Sequence, residues 1–191
     1  VAIDQALAAV QLVSVGAAPG QALLPQSYYV FAPGAEYGPA KRWPASHFAE
    51  LASRLALPVL LLGSGKEAAL CADIAAAANA GREIARCIDL SGRTSLDQAL
   101  ALIAGAKAMV SNDSGLMHVA AALQVPQVAV FGSSSPLHTP PLSKRAHVVW
   151  LKEDPAYQPA LDCAPCFERE CPLGHTRCLV DIKPERLLQF L

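Results

Sequence analysis

The chain is short of charge of either sign, and the charge it has is balanced. Lys and Arg number 15 against 16 Asp and Glu, for a formal net charge of −1, and charged residues make up only 16% of the 191 positions. This balance excludes a bulk electrostatic pull towards nucleic acid or an anionic membrane surface, so any phosphate site has to be built locally. Long apolar runs are also missing: none approaches the roughly 18–20 residues that a membrane-spanning helix needs. The opening residues Val1–Ala6 include neither an initiator Met nor a basic stretch. That is unlike a secretory signal peptide, and it reads like a cut made inside a longer chain. Internal repeats and low-complexity tracts are absent as well. What the chain does have is 53% hydrophobic residues, which marks a globular chain, long enough for one domain with a real core and short for two. One domain is therefore expected over residues 1–191.

Short apolar runs alternate with Ala/Leu-rich amphipathic segments. Tyr28–Ala32, Val59–Leu62, Ile88–Leu90, Ala108–Ser111, Val128–Phe131 and His147–Trp150 read as strands. Most are too uniformly apolar for a half-exposed sheet and fit one covered on both faces. Between them lie helices with candidate N-caps at Ser46, Ser95 and Ser114. Pro184 reads as the first residue of a last helix over 184–191. A short helix from Asp4 to about Val10 and a Gly/Pro connector form a lead-in over 1–27. The β-α-β-α order specifies an α/β fold, a Rossmann-like, doubly wound parallel sheet of about six strands.

In such a sheet every loop that leaves the carboxyl end of a strand lies along one edge, where these folds bind ligands. Here those loops are Pro33-Gly34-Ala35-Glu36, Gly63-Ser64-Gly65, Ser91-Gly92-Arg93-Thr94, Asn112-Asp113-Ser114-Gly115 and Gly132-Ser133-Ser134-Ser135. Small residues there let a ligand approach the backbone closely. The most informative segment, Ser111–His118, sets Asp113, Ser114 and Gly115 at a helix start, with His118 one turn on and on the same side as Ser114. Free amides and the positive end of that helix favour a phosphate; a capped helix with a core histidine is the bland alternative. The second segment, Pro33–Pro44, places Lys41 and Arg42 after a Gly/Pro loop. Lys41 suits a phosphate as a point charge and, as a loop cation, is expected to matter little for folding. Arg42 suits bidentate binding or a pair with Glu36, with Trp43 as a lid over a solvated loop in the plainer reading. Third, Gly63-Ser64-Gly65-Lys66-Glu67-Ala68 matches G-x-G-x-x-A, with Asp89 at about the distance of a ribose-binding acid. The match is short and follows the second strand, and it keeps an NAD-binding domain open as the alternative, beside a non-catalytic nucleotide-binding module.

Six cysteines fall into two groups. Cys71 and Cys87 stand singly among apolar residues and are expected in the core. Cys163, Cys166, Cys171 and Cys178 crowd into the Cys/Pro-rich stretch 155–183 together with His175. An Ala-rich α/β chain argues for the cytosol, where such clusters are more often metal sites than disulfides. C-x2-C followed by two more thiols can close a tetrahedral zinc site. Reduced thiols are nonetheless the first expectation, a zinc cluster the second and disulfides the third.

Phe31–Pro44, Gly92–Leu96, Ser111–Ala122 and Gly132–Pro136, in that family's order and spacing, resemble the ADP-heptose:lipopolysaccharide heptosyltransferase II family, within glycosyltransferase family nine. The resemblance covers about residues 28–191 and corresponds to that family's C-terminal, donor-binding domain. It implies one half of a GT-B glycosyltransferase, in which two Rossmann-like domains face each other across a cleft. The reaction implied is transfer of heptose from ADP-heptose to the lipopolysaccharide inner core with inversion. By position, Lys41 would meet the donor diphosphate, as would Ser114 and Gly115 through the helix start. Asp113 and His118 would meet the heptose or its phosphate linkage, Thr94 and its neighbours would line the adenosine, and Gly34 joins the donor-binding set. Glu67 is a candidate for the family's ribose-binding glutamate. The general base and the lipopolysaccharide acceptor belong to an N-terminal domain that the resemblance does not reach, so this half is expected to be inactive alone. The resemblance further implies no required cofactor or catalytic metal, and a cytoplasmic location with peripheral association at the inner membrane.

Overall fold

A computed structural model describes residues 27–191. The lead-in helix expected at Asp4–Val10 lies outside them. Six strands form one parallel sheet in the order β3-β2-β1-β4-β5-β6. They are β1 (Tyr29–Ala32), β2 (Val59–Leu61), β3 (Cys87–Asp89), β4 (Ala108–Asn112), β5 (Gln127–Phe131) and β6 (Ala146–Trp150), each within a residue or so of the position the apolar runs predict. The helices are α1 (Ala45–Arg54), α2 (Ala68–Asn79), α3 (Leu96–Ala104), α4 (Gly115–Ala122), α5 (Arg177–Val180) and α6 (Pro184–Leu188).

Alternation along the buried strands feeds two separate cores. Tyr29, Phe31, Leu61, Val110 and Val130 pack with Phe48, Leu51, Ile74, Leu179, Ile182 and Leu187 on the face covered by α1, α2 and the C-terminal helices. Tyr28, Val30, Leu60, Leu62 and Met109 pack with Leu102, Ile103 and Ala120 on the other face, under α3 and α4. A sheet buried on both sides needs apolar residues at successive positions, which is why the strands read as continuous runs.

Two expected helix ends differ. Helix α1 does not start at Ser46. The carbonyl of Pro44 accepts from His47 and Phe48 N–H at 3.0 and 3.1 Å, so Pro44 is the N-cap and Ser46 sits inside the first turn. The cause is upstream: Trp43 is fixed in the core, its Nε1 donating to Ile182 O at 2.8 Å, and the rigid φ of Pro44 turns the chain into helix at once. Helix α6 begins at Pro184 as expected but stops at Leu188. Ser95 does cap α3, within a reciprocal capping box with Gln98.

Candidate functional site

The strand order reverses between β1 and β4, so the loops leaving their carboxyl ends part there and open a crevice. A cavity of about 480 Å³ occupies it, lined among others by Gly34, Glu67, Thr94, Ser114, Gly115 and Val119. Four of the seven residues expected to bind the donor therefore meet around one space. Its size is that of a small-molecule site. Leu62, Leu96, Ala99 and Leu116 supply an apolar wall.

Each polar member is positioned by its element. Ser114 occupies the N-cap position of α4, yet its side chain makes no cap hydrogen bond. Its hydroxyl is buried and has no partner among the described residues, so the amides of the first turn of α4 are left without a side-chain acceptor. Gly34 is needed for close approach: a Cβ there would fall against the Glu67 carboxylate, within 2.6 Å of its Cδ. Glu67 is itself held, its Oε2 accepting from the N–H and the hydroxyl of Ser64, both at 2.6 Å.

Lys41 and Asp113 stand in a neighbouring wall, outside the cavity lining. Lys41 Nζ donates to Asp113 Oδ2 at 2.6 Å, and the two side chains are only 18% and 5% exposed. Thr139 donates to the other carboxylate oxygen at 3.2 Å. Lys41 is thus a half-buried, paired cation, where the sequence suggests a loop cation of little structural weight. His118 is exposed on α4 and is not among the residues that line the cavity.

Arg42 does not pair with Glu36. Its Nε and Nη2 donate to Ala35 O at 3.3 and 3.2 Å, folding the loop back on itself. Glu36 instead pairs with Lys66 at 2.8 Å, both side chains 76% exposed, and the hydrogen bond from Lys66 holds the Glu36 carboxyl below its ordinary value. Trp43 is no lid; it is 1% exposed. Two further features weaken the dinucleotide reading. The glycine-rich turn follows β2 and not the first strand, although its Gly63 and Ser64 also line the cavity. Asp89 is engaged by its own turn, accepting from the N–H and hydroxyl of Ser91 at 2.9 and 2.6 Å.

Sequence reasoning missed Asn112 and Thr139. The buried Asn112 joins two loops: its Oδ1 accepts from Trp43 N at 2.9 Å and its Nδ2 donates to Pro33 O at 2.7 Å. Its place beside Asp113 was a usable signal, since a buried amide at a strand end has to satisfy several partners. Thr139 carries no local signal, because its partner is distant in sequence. The thiols of Cys71 and Cys87 are buried as expected, and burial pushes them up to about 11 and about 12. All six cysteines are free.

Comparison with known proteins bears on the family. The lipopolysaccharide heptosyltransferase 2 of Escherichia coli (strain K12) is 48% identical over 164 residues, which are 84% of this chain and 44% of that protein. The solved structure of E. coli ADP-heptose lps heptosyltransferase II superposes with a TM-score of 0.72 at 45% identity, covering 88% of this chain and 46% of that one. E. coli heptosyltransferase WaaC with ADP superposes with a TM-score of 0.56 at 27% identity, over 66% of this chain and 39% of that one. The chain thus spans a little under half the length of the relatives it matches, and its sheet and helices have the architecture of one half of a GT-B glycosyltransferase. The family model for glycosyltransferase family 9 (heptosyltransferase) matches residues 2–177, and the chain belongs to that family.

Proposed function

We propose that this chain is the donor-binding half of a heptosyltransferase that takes ADP-heptose and passes its heptose, with inversion, to the inner core of lipopolysaccharide. The observation that carries the reading is the crevice between β1 and β4, with an apolar wall on one side and the uncapped start of α4 on the other. An adenosine fits the side made by Leu62, Thr94, Leu96 and Ala99. Its diphosphate would then lie at Ser114 and Gly115, where free backbone amides and the helix dipole favour an anion. In this reading Lys41, tethered by Asp113 at 2.6 Å, is the cation assigned to that diphosphate. Asp113 and His118 are assigned to the heptose or its phosphate linkage.

The chemistry of this half is leaving-group stabilisation. As the anomeric carbon–oxygen bond breaks, negative charge grows on the departing ADP, and preorganised amides and Lys41 offset it without a catalytic metal. A carboxylate contributed from outside this half would deprotonate the acceptor hydroxyl. Alone, the chain would bind donor and transfer little. Among the described residues no helix is long and apolar enough to cross a membrane. As part of the same reading, the protein works in the cytoplasm with peripheral contact to the inner membrane, where its acceptor would be presented.

Thermal denaturation with ADP, ADP-heptose and NAD tests the reading, because stabilisation grows as RT ln(1 + [L]/Kd). ADP and ADP-heptose should raise the melting temperature and NAD should do less. A preference for NAD, or no response to any of the three, would overturn it.

A further inference from the structure

The Cys/Pro-rich segment has no part in the donor crevice, yet it gathers an unusual set of groups. Cys163, Cys166, Cys171 and Cys178 line one small cavity of about 20 Å³, together with His175, Ala40 and Ser133. That volume holds a single small ion or one water. Only Cys178 lies in regular structure, on the one-turn helix α5, so backbone ladders cannot account for the convergence of the other three.

All four are free, half-buried thiols. His175 is already engaged, its Nδ1 accepting from Arg177 N at 3.1 Å, which leaves the four sulfurs as the donor set.

We propose that Cys163, Cys166, Cys171 and Cys178 bind one thiophilic divalent cation, zinc or iron, in a tetrahedral thiolate site that fastens the C-terminal segment beneath the Lys41 loop. Four thiolates around one small space are the donor set that selects such metals. Among the described residues no group of three or more His, Cys, Asp or Glu stands ready-formed to hold an ion, so binding draws the half-buried sulfurs inward by side-chain rotation. The fastening runs through backbone: Ala40 N donates to Arg169 O at 3.0 Å and Phe167 N to Ser133 O at 2.7 Å. Tyr37 Oη donates to Phe167 O at 2.6 Å. A Cβ on Gly38 would collide with the Arg169 carbonyl, so loop and segment lie in direct backbone contact one turn from Lys41.

The test begins with the full chain purified under reducing conditions from medium containing zinc and iron. Elemental analysis should find close to one zinc or iron per chain, and which of the two identifies the occupant. Cobalt(II) added to the metal-free reduced chain should give the intense visible bands of a tetrahedral thiolate site. Cys178→Ser should abolish both signals; if that variant does not fold, Cys163→Ser serves in its place. Cys87→Ser should leave both unchanged. Chelation should accelerate hydrogen exchange at the Ala40 and Phe167 amides. Metal far below one per chain with only weak octahedral cobalt bands would overturn the site, as would full metal retention by folded Cys163→Ser. Unchanged exchange at Ala40 after chelation would overturn the fastening.

Discussion

Lys41 has two claimants, the Asp113 carboxylate that it meets at 2.6 Å and the phosphate of a donor. Removing it therefore has two separable costs. Lys41→Ala leaves an almost fully buried carboxylate with Thr139 alone, and we expect a stability loss of about 1–3 kcal/mol, the range for a buried group left without its partner. Urea denaturation measures this, and Lys41→Ala combined with Asp113→Asn should recover part of it, because the unpaired charge is then gone. ADP affinity should fall by about 1.5–3 kcal/mol in Lys41→Ala, as for a lost hydrogen bond to a charged group. Unchanged ADP binding by titration calorimetry would remove Lys41 from the site. Asp113→Asn separates the roles further. It frees the ammonium, so ADP binding should hold or tighten while ADP-heptose binding weakens. Equal losses for both ligands would make Asp113 an organiser of the loop rather than a contact to the sugar.

At the level of elements, the crevice depends on loops being held at a fixed spacing, and Asn112 does this between the end of β1 and the start of α1. Asn112→Ala strands the Trp43 amide and the Pro33 carbonyl, at about 1–3 kcal/mol for each buried group left unpaired. Asn112→Asp should be no better, since it sets a carboxylate against the Pro33 carbonyl. Chemical denaturation of both variants checks this, and a change under 1 kcal/mol in Asn112→Ala would count against the bridge. Gly34→Ala tests the opposite wall. Its Cβ drives into Glu67, which must let go of Ser64, so ADP affinity should fall and Glu67→Ala should restore part of it in the double variant; no restoration would mean that the methyl group blocks the ligand directly. Much of this was legible in the sequence. The strand positions, the carboxyl-edge loops and the Ser95 cap follow from local pattern, and Gly34, Thr94, Ser114 and Gly115 do meet around the crevice. Ser46 misled because Ser is a strong cap only where the chain enters from extended backbone, and here the anchored Trp43 and Pro44 start the helix first.

Over the whole molecule, the features hidden from the sequence are contacts between distant segments. Trp43 donates to Ile182 and Ala40 to Arg169 across more than a hundred residues, and no periodicity announces either. The doubly wound topology was readable because each β-α unit is local, whereas the docking of the C-terminal segment on α1 and the Lys41 loop was not. His47 sits at that docking and gives a test of it. Its ring lies edge-on to Trp43 at 5.4 Å, and its Nδ1 is buried without a partner among the described residues. Burial, and then Lys183 across the docked segment, hold its pKa below the ordinary value, against the opposing pull of Glu50, the Ile182 backbone and Glu185. In the unfolded chain it titrates near 6.5. Between that value and its lower folded value the unfolded chain binds more protons, so stability rises with pH. The contribution is complete above about pH 6.5 and is lost as pH falls towards the folded pKa. Asp154, Asp181 and Glu185 have carboxyls held low chiefly by hydrogen bonds, and their losses come later, as pH drops below about 4.5. Melting curves from neutral pH downward should therefore show an early decline that His47→Gln flattens, while the later carboxylate decline persists. If wild type and variant run parallel through the upper interval, His47 does not report the seating of the C-terminal segment on the sheet.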